Sequence, residues 1–467
     1  MLVTAVKRIT FALLLALIAT TMCVAQVDDD DDTLADALGI GTGGVEVDAL
    51  GVLTNLKVPA NAQQLDQTRY QAAVASLNQD MQQPSDFRKV SLTRLEAEVA
   101  KLRAANKPIS ADMAFLAGLT RITHVFFYPE TKDVVVAGPA EGIYVNGLNR
   151  AVGMKTGRAA IQLQDLVVAL RAFAPEGPKT QIISCSFDPT AEGLQRMQQA
   201  MQHVANNFRP GDEEAVVNLY KEATGYQTIT IKGVSPKTHF AHTMAEADYA
   251  MKLIGLGLRD TPVKITTFVE KTKPRYAKSN ALMRWFFQPD YSCVHMTEDR
   301  RSMQLVGNGV KLVGEDESVS ASGNRKGRGA MNPASKAFTS SFTRMYGKLA
   351  QQAPLFAELR NLIDLSIVAA FIQKMDIYRQ ADWELTTFGD ESIVPVENRY
   401  PLQKVAPVVN AFWKGSSFMT PIAGGVSIQP RVALNSDRIS TDETGEIQKA
   451  RDSVVVDLLE DGQWWWD

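Results

Sequence analysis

PLFAELRNLIDLSIVAAFIQKMD, residues 354–376, is the stretch on which the fold turns. It carries the densest apolar run of the body, LIDLSIVAAFI. A bilayer core needs about 20 consecutive apolar residues, and this run is too short. It reads instead as a buried core helix, with Pro354 in its first turn, where a missing N–H costs nothing. Asp364 falls inside the run with Arg360 one turn earlier, which predicts an intrahelical ion pair at the core boundary rather than a catalytic carboxylate. A helix of this kind implies a globular body around it.

Working outward, the pattern alternates between periods. Residues 334–351 read as a second helix, and Gly- and Ser-rich residues 315–332 as a protease-sensitive loop. Met283–Val313 reads as a short antiparallel meander with turns at Pro289-Asp290 and Gly307-Asn308-Gly309. Upstream, helices are expected at Ile161–Phe173, Glu192–Val204, Glu213–Ala223 and His239–Leu258, and strands at Thr180–Phe187, Tyr226–Lys232 and Val263–Val269. Ile122–Tyr128 and Asp133–Gly138 flank Pro129-Glu130-Thr131-Lys132 and read as a hairpin. Ala62–Gln82 and Ser91–Ala105 are helical. The fold class is therefore mixed α/β, α+β in sections, with an N-terminal helical region followed by sheet segments with packed helices. The expected divisions are a leader over 1–25, an acidic, Gly-rich linker over 26–45, a helical region over 46–110 and the main α/β body over 111–435. A subdivision is sought near the 315–332 loop. The polar tail over 436–467 ends in Trp464-Trp465-Trp466.

The leader has the form of a secretory signal peptide. Lys7 and Arg8 give a positive start, Ile9–Met22 is mostly apolar, and Cys23-Val24-Ala25 puts small residues at the −3 and −1 positions. Cleavage after Ala25 is the expectation. A lipidated Cys23 would want a small residue before it, where Met22 stands. The implied setting is export, to the periplasm or outside the cell, with no transmembrane segment after cleavage.

Charge and composition exclude several classes. The 467 residues hold 49 Lys and Arg against 52 Asp and Glu, and Asp28–Asp32 alone exceed that acidic surplus. A neutral body gives no field for nucleic acid. Five adjacent aspartates read as a solvated spacer rather than a calcium site, whose ligands must converge on one ion. Cys185 and Cys293 both lie in apolar, strand-like surroundings. A disulfide and two buried thiols both remain open readings.

Motifs with chemistry are sparse. Gly39–Gly44 spells G-x-G-x-x-G but lacks the preceding strand a dinucleotide site needs, so no cofactor is expected. His239, His242 and Glu246 stand within about 60° of one another on a helix, beside the seam Phe240, Met244, Ala247, Met251, Ile254 and Leu258. They are the weak metal candidates, but no H-E-x-x-H pattern or fourth ligand accompanies them, and a solvent-facing polar edge is preferred. His124 reads as a core or edge histidine. Gly323–Gly329 brings Arg325, Lys326 and Arg328 together among glycines and is the candidate anion-binding loop, with an anionic envelope component as its partner. No G-x-S-x-G or S-x-x-K occurs, so no catalytic residue is named, although a triad assembled from distant positions needs no such spacing. The terminal tryptophans either stack on a sugar or partner surface or tuck onto the body.

Several segments together carry a resemblance: VFFYPETKDVVVAGPAEGI (125–143), DLVVALRAF (165–173), SCSFDPTAEGL (184–194), AEADYAMKLIGLGL (245–258), RWFFQPDY (284–291), GNGVKL (307–312) and PLFAELRNLIDLSIVAAFI (354–372). Over most of residues 115–430 the chain resembles an uncharacterised family of exported planctomycete proteins, known as a conserved domain of unknown function. That resemblance implies a bacterial envelope setting and no particular activity. The expected function is binding or structural, with an envelope hydrolase as the alternative. A deep pocket of convergent polar groups would favour the hydrolase, and a flat or grooved surface would favour binding.

The leader generates one expectation directly: mass spectrometry of exported protein should find a mature chain beginning at Gln26. An intact Met1 in membrane-embedded material would contradict it.

Overall fold

The central helix, Pro354–Lys374, is buried along its whole length from Leu355 to Ile372. From Leu355 to Ile372 no face is left for solvent, so other elements must wrap every side. Leu163–Ala172, His239–Gly255 and Pro333–Gln352 pack against it as helices. The computed structural model describes residues 44–77, 79–207, 209, 211–273, 281–320, 325–327, 331–411, 422–453, 456 and 459–467. The leader, its cleavage site and most of the 26–45 linker lie outside these residues.

Among the described residues the strands form two large sheets and a two-stranded one. The larger has nine strands, in the order 45–47, 52–55, 404–405, 227–232, 183–188, 422–428, 281–289, 310–319 and 325–327. It is mixed: Ala281–Pro289 runs antiparallel to Val310–Val319 but parallel to Ile422–Ile428. Gly424 and Gly425 let that middle strand fit. A Cβ on Gly424 would stand 2.3 Å from the Trp285 carbonyl oxygen, and one on Gly425 2.1 Å from that of Cys185. The second sheet has seven strands, in the order 440–441, 294–296, 302–305, 124–128, 133–140, 85–91 and 465–466. Trp285 packs against Phe268 and Phe338, and Phe287 against Phe342, Tyr346 and Phe356, joining the larger sheet to the helices. Among the described residues, no helix is long and apolar enough to cross a membrane.

The mixed α/β class expected from the sequence is the one found. The hairpin is present, His124–Tyr128 pairing antiparallel with Asp133–Ala140. Other expectations need correction. Residues 46–110 hold helices at Ala62–Ser76 and Leu92–Ala104, but Val52–Asn55 and Ser85–Ser91 are strands. Their partners, Lys404–Val405 and Asp133–Ala140, are distant in sequence, so local periodicity could not reveal them. No strand forms over 263–269. Thr267 and Glu270 close a capping box instead and start a short helix at Phe268. The expected meander is divided between sheets, since Val294–Met296 and Ser302–Leu305 join the second sheet while the strands on either side join the first. Within the expected 315–332 loop, the strand Val310–Val319 continues and pairs with Arg325–Gly327. Asp364 finds Arg121 at 3.2 Å rather than Arg360, because a tertiary neighbour reaches the buried carboxylate. Cys185 and Cys293 are free and buried.

The tryptophan tail tucks onto the body. Trp465–Trp466 pairs with Ser85–Ser91 as the last strand of the second sheet. Beneath it lies Arg88, which is fully buried. Arg88 donates to both carboxylate oxygens of Asp467 at 2.9 Å and to the carbonyl of Ala117, and its guanidinium stacks 4.7 Å from the Trp465 ring. A charge-assisted pair to a buried guanidinium contributes about 1.5–3 kcal/mol. Asp467→Ala should therefore lower the unfolding free energy by about 2 kcal/mol in urea titration. An unchanged midpoint would mean the tail does not hold Arg88.

Candidate functional site

A cavity of about 320 Å³ opens where the His239–Gly255 helix begins. Five separate parts of the chain build its polar wall. Thr238 caps the helix by accepting from the Ala241 N–H, which sets His239 at the first helical position. His242, Thr243 and Glu246 follow on the same side of that helix. The central helix contributes Glu358, which is buried. A tight turn between Ile143–Val145 and Ala151–Gly153 contributes Arg150. There the Asn146 side chain accepts from the N–H groups of Leu148 and Arg150, and Asn149 takes a left-handed φ of 59°. Lys57 and Arg399 line the cavity from exposed positions.

Arg150 is the hub of the floor. One of its terminal nitrogens pairs with Glu246 and the other with Glu358. The arginine is thus shared between two helices. Burial opposes its charge, but the two carboxylates outweigh burial and raise its pKa further. Burial shifts Glu358 upward, with Arg150 opposing. Each glutamate spends one named oxygen on Arg150, Oε1 of Glu246 and Oε2 of Glu358.

His239 is held from behind. Its Nδ1 lies 2.9 and 3.0 Å from the two carboxylate oxygens of Asp165, in the first turn of Leu163–Ala172. Nδ1 donates to the carboxylate, which leaves Nε2 as the ring nitrogen turned away from Asp165. The Thr243 hydroxyl stands 3.5 Å from that Nε2. Burial lowers the pKa of His239, but the charge and hydrogen bond of Asp165 overcome it, so the ring sits above its ordinary value. His242 differs: its Nε2 donates to the Tyr400 carbonyl at 2.9 Å, and burial pushes it down to about 4. Arg399 is shifted downward by burial, partly offset by Asp165, Glu246 and Glu358, and no described carboxylate pairs with it directly.

The sequence candidates fare unequally. His239, His242 and Glu246 do come together in one cavity, but not as the solvent-facing edge expected. The Arg150 turn, the central helix and the chain around Tyr400 cover that flank, so His242 and Glu246 are buried. Nor do they converge on one point, since each turns to its own partner. Among the described residues no three His, Cys, Asp or Glu side chains are grouped to hold a metal. In the basic loop, Arg325 pairs with Glu317 at 2.6 Å and Asp188 at 2.7 Å, which consumes its charge. Lys326 is exposed, and Arg328 lies outside the described residues. Of Gly39–Gly44 only Gly44 is described, and it lines the cavity. Asp165, Arg150, Glu358 and Arg399 were missed. A carboxylate inside the most apolar helix was the one local signal available for Glu358.

Fold and cavity together define a mixed α/β protein with one helix start set in a polar cleft lined by both cations and carboxylates. Residues 185–268 contain a DUF1598 domain, described as a protein of unknown function. That segment holds His239, His242, Thr243 and Glu246, while Arg150, Asp165, Glu358 and Arg399 come from outside it. No curated protein and no solved structure matches the chain.

The histidines predict how stability depends on pH. Burial pushes His124, like His242, down to about 4 from 6.5. Both are neutral in the folded protein. Their contribution is present above pH 6.5 and is lost as pH falls towards 4, because the unfolded chain takes up protons first. Each shift is worth about 3 kcal/mol at the acid end. His239 runs oppositely: its contribution is in place below 6.5 and fades as pH rises through its raised value. Urea unfolding at stepped pH should show the acid-side slope reduced in His124→Gln and again in His242→Gln. Parental slopes in both variants would contradict the burial of these rings.

Proposed function

We propose that this is an exported envelope protein that works by binding a small ligand, and that its binding site is the cavity at the start of the His239–Gly255 helix. The observation that carries the reading is the division of charge across one small space. Arg399 presents a cation on the solvent side, and among the described residues no carboxylate pairs with it directly. Glu246 and Glu358 lie on the floor, each with only one oxygen spent on Arg150. A ligand with a carboxylate at one end and a hydrogen-bond donor at the other satisfies both. An arginine fork suits a carboxylate, and the remaining glutamate oxygens suit an amide, hydroxyl or amine donor. A cavity of about 320 Å³ matches a small molecule in size. Export rests on the leader read from the sequence, and the envelope setting on the resemblance.

The basic segment 323–329 is the weaker place for an anion, because Arg325 is already paired twice. The hydrolase alternative gains from the Asp165–His239 pair facing the same space.

Succinamate tests the reading, since it carries one carboxylate and one amide. Titration calorimetry should show it binding, while neutral succinamide does not. Arg399→Gln should weaken succinamate by about tenfold or more, the worth of one charge-assisted pair. Equal affinity for succinamate and succinamide would remove the carboxylate site.

A further inference from the structure

We infer that the same cavity hydrolyses esters of small carboxylic acids, with His239 as the general base that activates water; this rests on the carboxylate-binding reading above. The geometry is that of a held base. Both oxygens of Asp165 lie within 3.0 Å of Nδ1, so the ring is fixed in one orientation and one tautomer. Asp165 is buried, and His239 keeps 14% of its side chain exposed, on the cavity wall. Nε2 is turned to the side where Thr243 also lines the cavity.

The step balances without a further reagent. Nε2 takes a proton from water as the water oxygen bonds to the ester carbonyl carbon. The bond from that carbon to the leaving alcohol oxygen then breaks, and the ring returns its proton to that oxygen. One water is consumed, one acid and one alcohol leave, and His239 ends as it began. Arg399 holds the distal carboxylate of the substrate and stays outside the bond changes. Hydrolysis creates a second carboxylate in a space that contains Glu246 and Glu358. Like charges at short range repel, which favours product release.

The charged groups facing the ring are Asp165 from Leu163–Ala172, Glu358 from the central helix and Arg399, and the titratable His242 lies on its own helix. Arg150 and Glu246 complete the cavity. Burial opposes protonation of His239, but Asp165 prevails, so the base is freed at a higher pH than an ordinary histidine. The rate should therefore climb with pH through a value above 6.5.

The test uses the full chain and 4-nitrophenyl hemisuccinate, an activated ester with a free carboxylate, followed by release of 4-nitrophenol. The expected result is turnover at least about tenfold faster than that of neutral 4-nitrophenyl butyrate. His239→Gln should lower kcat by about 100-fold or more. Asp165 is a positioning residue, and Asp165→Asn should lower kcat and also move the inflection of the pH profile downward, which a merely structural role would not do. Thermal unfolding establishes that each variant is folded. If His239→Gln does not fold, Asp165→Asn and the parental profile decide, and a parental rate that is flat between about pH 6 and 8 overturns the proposal. Hydrolysis no faster than in buffer, with succinamate still bound, overturns hydrolysis and leaves binding standing. Failure of both probes overturns both readings. A parental kcat in folded His239→Gln removes His239 as the base.

Discussion

A helix with no face left for water has to be covered on all sides, and most of this structure follows from that requirement. Pro354–Lys374 is buried from Leu355 to Ile372. Three other helices close around it, and the aromatic residues of the larger sheet meet it through Phe356. Truncating any one of its fully buried side chains, such as Ile363, Ile367 or Phe371, leaves a void in surroundings that relax only in part, at about 2–5 kcal/mol each. The helix is the common wall of the fold, so whatever it carries is delivered to the centre.

What it carries includes charge, and that charge organises the cavity. Glu358 could not be buried alone without large cost. Arg150 meets it, and Glu246 meets Arg150 from a second helix. One cation thus ties together a hairpin turn and two helices. Ion pairs of this kind add little net stability against an apolar replacement, but they fix geometry, because removing one member strands the others. The wall beside His239 is thus held together by side chains from three segments. Elsewhere the fold also pairs buried charge: Lys252 lies 2.6 Å from Asp248, with its ammonium 4.1 Å from the Phe187 ring.

The same logic explains where residue patterns mislead. Arg360 precedes Asp364 by one helical turn, yet Asp364 takes Arg121, a residue 243 positions away. Arg325 sits among glycines in a basic cluster, yet Glu317 and Asp188 claim it from the adjacent strand and from a strand deeper in the sheet. Short-range spacing lists the partners a side chain could have. Burial selects among them, since the desolvated carboxylate takes whichever cation the packing brings within reach.

Local sequence determined the helices and most of the strands, because apolar periodicity and caps act within one element. His239–Gly255, Leu163–Ala172 and Pro354–Lys374 are all legible in that way, as is the hairpin around Pro129–Lys132. It also placed His239, His242 and Glu246 on one side of a helix. Only the tertiary structure decided what that side faces. Asp165, Arg150, Glu358 and Arg399 lie on four other segments, and no period in the chain links them to His239. Strand partners such as Val52–Asn55 with Lys404–Val405, and Ser85–Ser91 with Trp465–Trp466, were equally hidden. A strand's own residues set its pleat and its apolar face, but its neighbour is set by which distant edge remains unpaired once the helices have packed.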